Sequence, residues 1–337
     1  MVSSGLWYSL SSVVILVLIR KIREYTWGRC TSRSSLRGKT FLITGANCGI
    51  GYETAKALAI RDANVILACR NVLKARMAVE KIRQYLPLGR LTALELDLSD
   101  FDSINAFAQL IRQEHSDIYC LINNAGLATN ELLKTKQNFE IHFGVNYLGH
   151  FLLTNLLLDV LSENNAKIIN VTSQLHEKGV IDLANIENSV IVDETSSLLR
   201  SEIKTSAHVN PFYCNSKLAN LYFAMELEKM GYESYAICPG FTYTNLFRNH
   251  SFKWYQYILF MPVAFFFLRS AEQGAQSVIK CASENLKTQK DIFDSNAPTI
   301  RNGYYFKNCK FYKTKVYLDE ELSKELWIQS RKLCLIK

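Results

Sequence analysis

The sequence predicts a doubly wound, parallel α/β sheet with helices on both faces, preceded by one apolar helix at the amino terminus. Three observations carry that prediction. Short β-branched or apolar runs alternate with helix-like stretches from Gly38 onward, the pattern of a parallel sheet whose crossovers cover both faces. A turn with three glycines, TGANCGIG from Thr44 to Gly51, follows the first run. No charged side chain occurs from Val2 to Ile19.

The amino-terminal run is most apolar from Leu6 to Ile19 (LWYSLSSVVILVLI). As a helix, the eighteen uncharged residues span roughly 27 Å, close to the ~30 Å hydrocarbon thickness of a bilayer. A cleaved secretory signal is the rival reading, but no basic stretch precedes the run and no convincing small-x-small cleavage site follows it. A buried or re-entrant helix is the third. We expect a retained single-pass anchor over 1–22. Seven basic residues follow between Arg20 and Lys39 against one acid, Glu24, which accounts for six of the eight excess positive charges. That concentration argues against nucleic acid as a partner, because such proteins spread their basic excess over a folded face. It favours a membrane surface with anionic headgroups, and the positive-inside rule then places the remaining chain in the cytosol. The endoplasmic reticulum is the membrane expected.

With 337 residues, 48% hydrophobic and 21% charged, the composition is that of an ordinary globular protein with ample core. Nine widely separated cysteines, with no C-x-x-C pair, indicate neither a zinc site nor a dense disulfide framework. The expected organisation is an anchor (1–22), a basic juxtamembrane linker (23–37), an α/β domain (38–315) and a helical tail (316–337).

Six strands are predicted: TFLITG (40–45), NVILAC (64–69), LTALELDL (91–98), YCLINNAG (119–126), AKIINVTS (166–173) and ESYAICPG (233–240). Amphipathic runs such as 72–86 and 137–161 lie between them. The stretch 174–210 is polar and irregular, and 318–327 reads as a terminal helix with acids near its start.

A glycine-rich turn between strand and helix lets backbone N–H groups approach a pyrophosphate, and the helix dipole adds positive potential there. The spacing Gly45-x-x-x-Gly49-x-Gly51 differs from the common G-x-G-x-x-G fingerprint, so the turn alone is weak evidence. Further signals follow in order: Asp97 at the end of the third strand, Asn123-Asn124-Ala125-Gly126 at the end of the fourth, Asn146 in a helix, Ser173 at the end of the fifth strand, Tyr213-x-x-x-Lys217 opening a helix, and Pro239-Gly240 with Thr244 after the sixth. Together these residues closely resemble the short-chain dehydrogenase/reductase family over about residues 38–310, which implies a Rossmann-like sheet. TKQNFEIHFGVNYLGHFLLT (135–154), YCNSKLAN (213–220) and AEQGAQSVIKCA (271–282) resemble its membrane-bound retinol dehydrogenase branch.

A tyrosine with an ordinary pKa near 10 is a poor acid or base at neutral pH unless a nearby cation stabilises its phenolate. Lys217, four residues on, shares a helix face with Tyr213. The resemblance implies that Lys217 also bonds the nicotinamide ribose, that Ser173 holds the substrate oxygen and that Asn146 holds a proton-relay water. It assigns cofactor contacts to Gly45, Asn47, Cys48, Gly49, Ile50, Gly51, Asp97, Asn123, Ala125, Gly126, Tyr213, Lys217, Pro239, Gly240, Thr242 and Thr244. At the end of the second strand an acid would bind the ribose 2′-hydroxyl of NAD. Cys69 and Arg70 stand there instead, and a guanidinium suits the 2′-phosphate of NADP(H).

His142, His150 and His176 are expected to pack or hydrogen-bond rather than to catalyse, and no metal spacing occurs among the histidines. The sequons at Asn170 and Asn249 are discounted, the first as part of a buried strand and the second as a candidate only with the opposite membrane orientation. Trp254 to Leu268 (WYQYILFMPVAFFFL) carries no charge and suits a lid over a long apolar substrate or an interfacial helix, with a buried hairpin kinked at Pro262 as the alternative. Two departures stand out: Cys48 replaces a serine or basic residue in the turn, and 39 residues separate Ser173 from Tyr213. The reading is an NADP(H)-dependent enzyme interconverting a hydrophobic alcohol, foremost retinol, and its carbonyl. The alternatives are a steroid or other lipid carbonyl reductase and a catalytically idle membrane scaffold. A homo-oligomer is compatible with each.

Overall fold

The computed structural model of the protein describes residues 2–85, 90–183, 210–243, 254–286 and 305–336, and its described side chains begin at 14 in the first segment and at 261 in the fourth. One eight-stranded sheet organises the chain, in the order β3-β2-β1-β4-β5-β6-β7-β8. The strands are β1 (Thr40–Thr44), β2 (Asn64–Cys69), β3 (Leu91–Glu95), β4 (Ile118–Asn123), β5 (Lys167–Val171), β6 (Glu233–Cys238), β7 (Tyr305–Lys307) and β8 (Lys310–Phe311). All neighbours run parallel except β7 and β8. The six predicted strands are all present, and the short final pair is an addition.

Ten α-helices are described: α1 (Val2–Tyr25), α2 (Gly49–Ala59), α3 (Val72–Arg83), α4 (Phe101–Glu114), α5 (Gly149–Leu156), α6 (Leu158–Glu163), α7 (Pro211–Lys229), α8 (Trp254–Phe267), α9 (Ala271–Ser283) and α10 (Glu320–Leu333). Strand side chains alternate between two cores, as the pleat requires. Phe41 and Ile43 face the layer of α2, α3 and α9, whereas Leu42 faces that of α4, α5, α7 and α10. Helix starts follow local chemistry: Asn71 accepts from the Lys74 amide at 2.9 Å, Ser270 and Gln273 form a reciprocal capping box, and Asn210 with Pro211 opens α7.

The fourth, fifth and sixth strands end two or three residues before their predicted bounds, and two other elements depart from expectation for visible reasons. The third strand stops at Glu95, short of Leu98. Here the Asp97 amide donates to Ser103 Oγ at 3.0 Å and the Asp97 carboxylate accepts from the Ser99 amide at 2.9 Å, so side chains replace the ladder. The run 137–161 is not one helix: a π-helical segment (Phe143–Leu148) leads into α5, and Leu157 at φ −110° separates α5 from α6.

The apolar amino-terminal run is helical, with Val14 to Ile19 and Ile22 exposed. Among the described residues no helix is long and apolar enough to cross a membrane. Beyond α1 the chain lies against the body: Trp27 and Leu36 are buried, and the Leu36 amide donates to the Arg61 carbonyl at 2.6 Å. The expected excursion 174–210 begins as a 3-10 turn (Gln174–Lys178), while 184–209 lies outside the described residues, as do Thr244 and the sequon at Asn249.

Candidate active site

The chain winds outward from β1 to β3 and then returns to β4, so the order reverses between β1 and β4. In such sheets the crevice at the carboxyl ends of the reversing strands is the binding site. Most of the sequence-predicted residues converge there.

The glycine-rich turn leaves β1 at Gly45, whose φ of +67° lies in the left-handed region that favours glycine. A Cβ at Gly45 would stand 2.8 Å from Ala125 Cα, and one at Gly51 would stand 2.5 Å from Asn124 Nδ2. The turn thus presses on the end of β4. Cys48 caps α2 in extended conformation with no side-chain hydrogen bond to the helix, which leaves the first-turn N–H groups and the positive dipole end for an anion. These residues fit a dinucleotide pyrophosphate, the group the turn implies.

Thr44 joins the two strand ends. Its Oγ1 accepts from the Asn124 and Ala125 amides at 2.9 Å each and donates to His150 Nε2 at 2.9 Å. The direction follows from the other ring nitrogen, because His150 Nδ1 lies 3.1 Å from the Asn146 carbonyl, an obligate acceptor. Burial, with the nearby Lys217 charge acting in the same sense, pushes the His150 pKa down to about 3. The ring is therefore a neutral brace.

Asn146 sits in the π-helical segment, a form found often at functional sites. Its Nδ2 donates to the Leu127 carbonyl and to Ser216 Oγ at 3.1 Å each, and its Oδ1 accepts from the Leu127 amide at 2.9 Å. A Cβ at Gly126 would stand 3.3 Å from Asn146 Oδ1 and 3.6 Å from Lys217 Nζ, so Gly126, Asn146 and Lys217 share one small space.

Ser173 follows β5, and Tyr213, in the first turn of α7, hydrogen-bonds with it, with Lys217 one turn further along the helix. Lys217 Nζ donates to the Val171 carbonyl at 2.9 Å and lies 5.8 Å from the Tyr213 ring centroid. Burial lowers its pKa to about 8. Tyr213, beside that ammonium, is buried too. Burial holds its phenol well above the ordinary value, and the hydrogen bond with Ser173 offsets only part of that shift.

At the end of β2, Cys69 is buried and Arg70 exposed. Burial pushes the Cys69 thiol up to about 11, against hydrogen bonds from the Ala46 and Asn47 amides. The position where an acid would stand is thus a neutral thiol. Asn123 donates to Thr154 Oγ1 at 3.0 Å and Asn170 Oδ1 at 2.9 Å inside the sheet. Beyond β6, Thr242 turns its hydroxyl to the Pro239 and Gly240 carbonyls, 3.3 Å from each.

Sequence reasoning missed Thr44, Asn124 as a brace, and a Glu140–His142 pair. Glu140 accepts from His142 Nδ1 at 2.6 Å and from the His142 and Phe143 amides at 2.9 Å. His142 Nε2 accepts from the Thr129 amide at 3.0 Å, and the ring meets that of Tyr213 edge-on, with centroids 6.1 Å apart. His176 spans the Ser173 carbonyl at 2.6 Å and Thr314 Oγ1 at 2.7 Å. All three histidines near the site are fully buried and hydrogen-bonded, as the sequence suggested. Each has one partner within four residues and a second, Thr129, Thr44 or Thr314, that is remote in sequence and left no local signal.

The chain is similar to known proteins over most of its length. A family model described as short chain dehydrogenase matches residues 39–185. Human Retinol dehydrogenase 12 is 38% identical over 316 residues, which is 92% of this chain and 90% of that protein. Human Retinol dehydrogenase 11 is 36% identical over 307 residues, 89% of this chain and 87% of that protein. Among solved structures, the 3-ketoacyl-(acyl-carrier-protein) reductase from Brucella melitensis, complexed with NADH, superposes with a TM-score of 0.54 at 22% identity, covering 74% of this chain and 92% of that one. That likeness concerns the fold alone.

Proposed function

The chain belongs to the short-chain dehydrogenase family, in its retinol dehydrogenase-like branch, and from that premise we propose an NADP(H)-dependent, membrane-anchored enzyme that interconverts a hydrophobic alcohol, foremost retinol, and its carbonyl. The observation that carries this reading is the convergence of Ser173, Tyr213 and Lys217 at the carboxyl ends of the central strands, with Asn146 and Gly126 closing one side.

A nicotinamide dinucleotide supplies or accepts the hydride when bound. The protein handles the proton. In carbonyl reduction Tyr213 O–H donates to the substrate oxygen, which the Ser173 hydroxyl holds. The Lys217 ammonium, present below about pH 8, lowers the cost of the phenolate left behind. Asn146, with both amide donors engaged, braces the Leu127 turn beside that ammonium. Gly45 to Gly51 with Asn47, Cys48 and Ile50 cradle the phosphates, Asp97 and Asn123 to Gly126 line the crevice, and Pro239 to Tyr243 cover its far end.

Two features support NADP(H). Arg70 offers a guanidinium to a 2′-phosphate, and the neutral Cys69 thiol does not repel one. A charge-assisted bond of about 1.5–3 kcal/mol corresponds to a preference of about ten- to a hundredfold. The apolar substrate is supported by the names of the relatives and by Met261, Val263, Phe265 and Phe267, exposed on α8 beside the exposed apolar face of α1. We assign 1–22 to a membrane anchor, 23–37 to the linker, 38–315 to the catalytic domain facing the cytosol and 316–337 to the tail, with the endoplasmic reticulum as the membrane. The 39-residue separation of Ser173 from Tyr213, a departure from the retinol dehydrogenase pattern, favours one second reading, a steroid or other lipid carbonyl reductase.

The decisive assay incubates full-length, detergent-solubilised protein with all-trans-retinal and NADPH or NADH, and quantifies retinol by chromatography. Retinol appears with NADPH, about ten- to a hundredfold less efficiently with NADH, and not with Tyr213→Phe. Arg70→Asp reverses the cofactor preference. Undiminished turnover by Tyr213→Phe would remove the mechanism, and product from a steroid panel but not from retinal would move the substrate to the second reading.

A further inference from the structure

The segment after β6 is built on Arg269. The Arg269 amide donates to the Phe241 carbonyl, and the Tyr243 amide donates to the Arg269 carbonyl, both at 2.8 Å. Its side chain, 6% exposed, runs beneath the same segment. Nη1 donates to the Pro239 carbonyl at 3.2 Å and Nη2 to Asn308 Oδ1 at 2.6 Å. Gly240 has φ +80°, and a Cβ there would stand 2.5 Å from the guanidinium carbon. The missing side chain at 240, which the sequence alone connects with a cofactor, is thus required by an arginine.

Among the described residues no carboxylate pairs with Arg269. Its cation instead lies 4.9 Å from the ring centroid of Trp27, a second guanidinium, that of Arg20, lies 4.8 Å from the same centroid, and the indole is 5% exposed. Such stacking strengthens when water is excluded. Arg20 also donates to the Phe265 carbonyl and, at 3.0 Å, to the Leu268 carbonyl, so it holds the end of α8 next to Arg269. Gly28 presses on the Asn308 backbone, where a Cβ would stand 2.2 Å from the carbonyl oxygen. Contact is continuous from α1 to Pro239.

We infer that Trp27, stacked with Arg20 and Arg269, is a positioning residue for the segment Pro239–Tyr243, which makes the amino-terminal helix part of the cofactor site. The inference rests on the proposed role of that segment in binding the nicotinamide cofactor. Without the indole, water reaches the guanidinium, Arg269 gains alternative partners, and the Pro239 carbonyl and the strand-like pairing at Phe241 and Tyr243 lose their fixed support.

The test uses full-length protein in detergent and the variants Trp27→Ala, Trp27→Phe and Arg20→Ala. Hydrogen exchange is followed in the peptide spanning 238–243, alongside NADPH affinity by fluorescence and steady-state kinetics. Trp27→Ala is expected to raise exchange there and to weaken NADPH binding and KM about tenfold with kcat within about twofold, the size of one lost stacking contact. Trp27→Phe, which keeps a ring, restores most of the affinity. Unchanged exchange and affinity in Trp27→Ala, with normal NADPH binding by the wild type, overturn the inference and leave the proposed function intact; so does a fall in kcat with KM unchanged. A wild type that binds neither nucleotide overturns the functional reading and this inference with it. If Trp27→Ala does not fold, Arg20→Ala decides by the same two readouts, with raised exchange and weaker binding in support and no change against.

Discussion

Lys217 and Arg269 are two buried cations in neighbouring regions of one sheet, and they behave differently. They are 4% and 6% exposed, and burial lowers the pKa of each. Among the described residues neither has a carboxylate partner. Each donates to a carbonyl at the carboxyl end of a strand, Val171 for Lys217 and Pro239 for Arg269. Their surroundings differ. Arg269 has a second acceptor in Asn308 and an indole face in Trp27, and a guanidinium keeps its proton throughout the range in which proteins fold. Lys217 has Gly126 and Asn146 for neighbours, and its pKa falls to about 8. The same burial yields a permanent structural charge in one place and an adjustable one in the other. What decides is the intrinsic basicity of each group together with how completely its surroundings replace water.

The comparison breaks most visibly at Lys217. Lys217→Met is expected to lower kcat by about 10²–10³-fold, the usual scale for removing one electrostatic stabiliser, while leaving the melting temperature unchanged or higher because a desolvated charge has gone. A large loss of stability would mean that Lys217 is structural after all. The opposite pattern is expected at Arg269. Arg269→Met leaves the buried Pro239 carbonyl and the half-buried Asn308 without their donor, costs about 2–4 kcal/mol and lowers the melting temperature.

A pH profile sharpens the same contrast. If the reaction needs protonated Lys217, carbonyl reduction is fastest below about pH 8 and falls about tenfold per pH unit above it. The stability effect has the opposite direction. The folded pKa lies below the ordinary lysine value of about 10.4, so between about pH 8 and 10 the unfolded chain holds more protons and the native state gains stability as pH rises. Denaturant titrations at several pH values should show that rise in the wild type and its loss in Lys217→Met. The smallest effect is expected from Arg269→Lys, which keeps the charge but loses the planar fork and stack, for about 1 kcal/mol by thermal denaturation.

Much of the site was legible in the sequence because its signals are local. Gly45 to Gly51 form one turn, Tyr213 and Lys217 are four residues apart on one helix, and the six strands announce themselves by β-branched runs between polar punctuation. The braces were not legible. Thr44 reaches His150 across 106 residues, Glu140 and His142 matter through Thr129 and Tyr213, and Arg20 meets the end of α8 more than 240 residues away. The end of the third strand was misplaced by three residues because the Asp97 and Ser103 side chains compete for backbone groups there.

By itself, the sequence determined the alternation of strand and helix, the family and the residue types able to move a proton, since periodicity, turn chemistry and functional groups are properties of short stretches. Only the tertiary structure decided how those groups are tuned. Burial depends on atoms from distant segments, and it is burial that raises the Tyr213 phenol, lowers the Lys217 ammonium to about 8 and keeps His150 neutral.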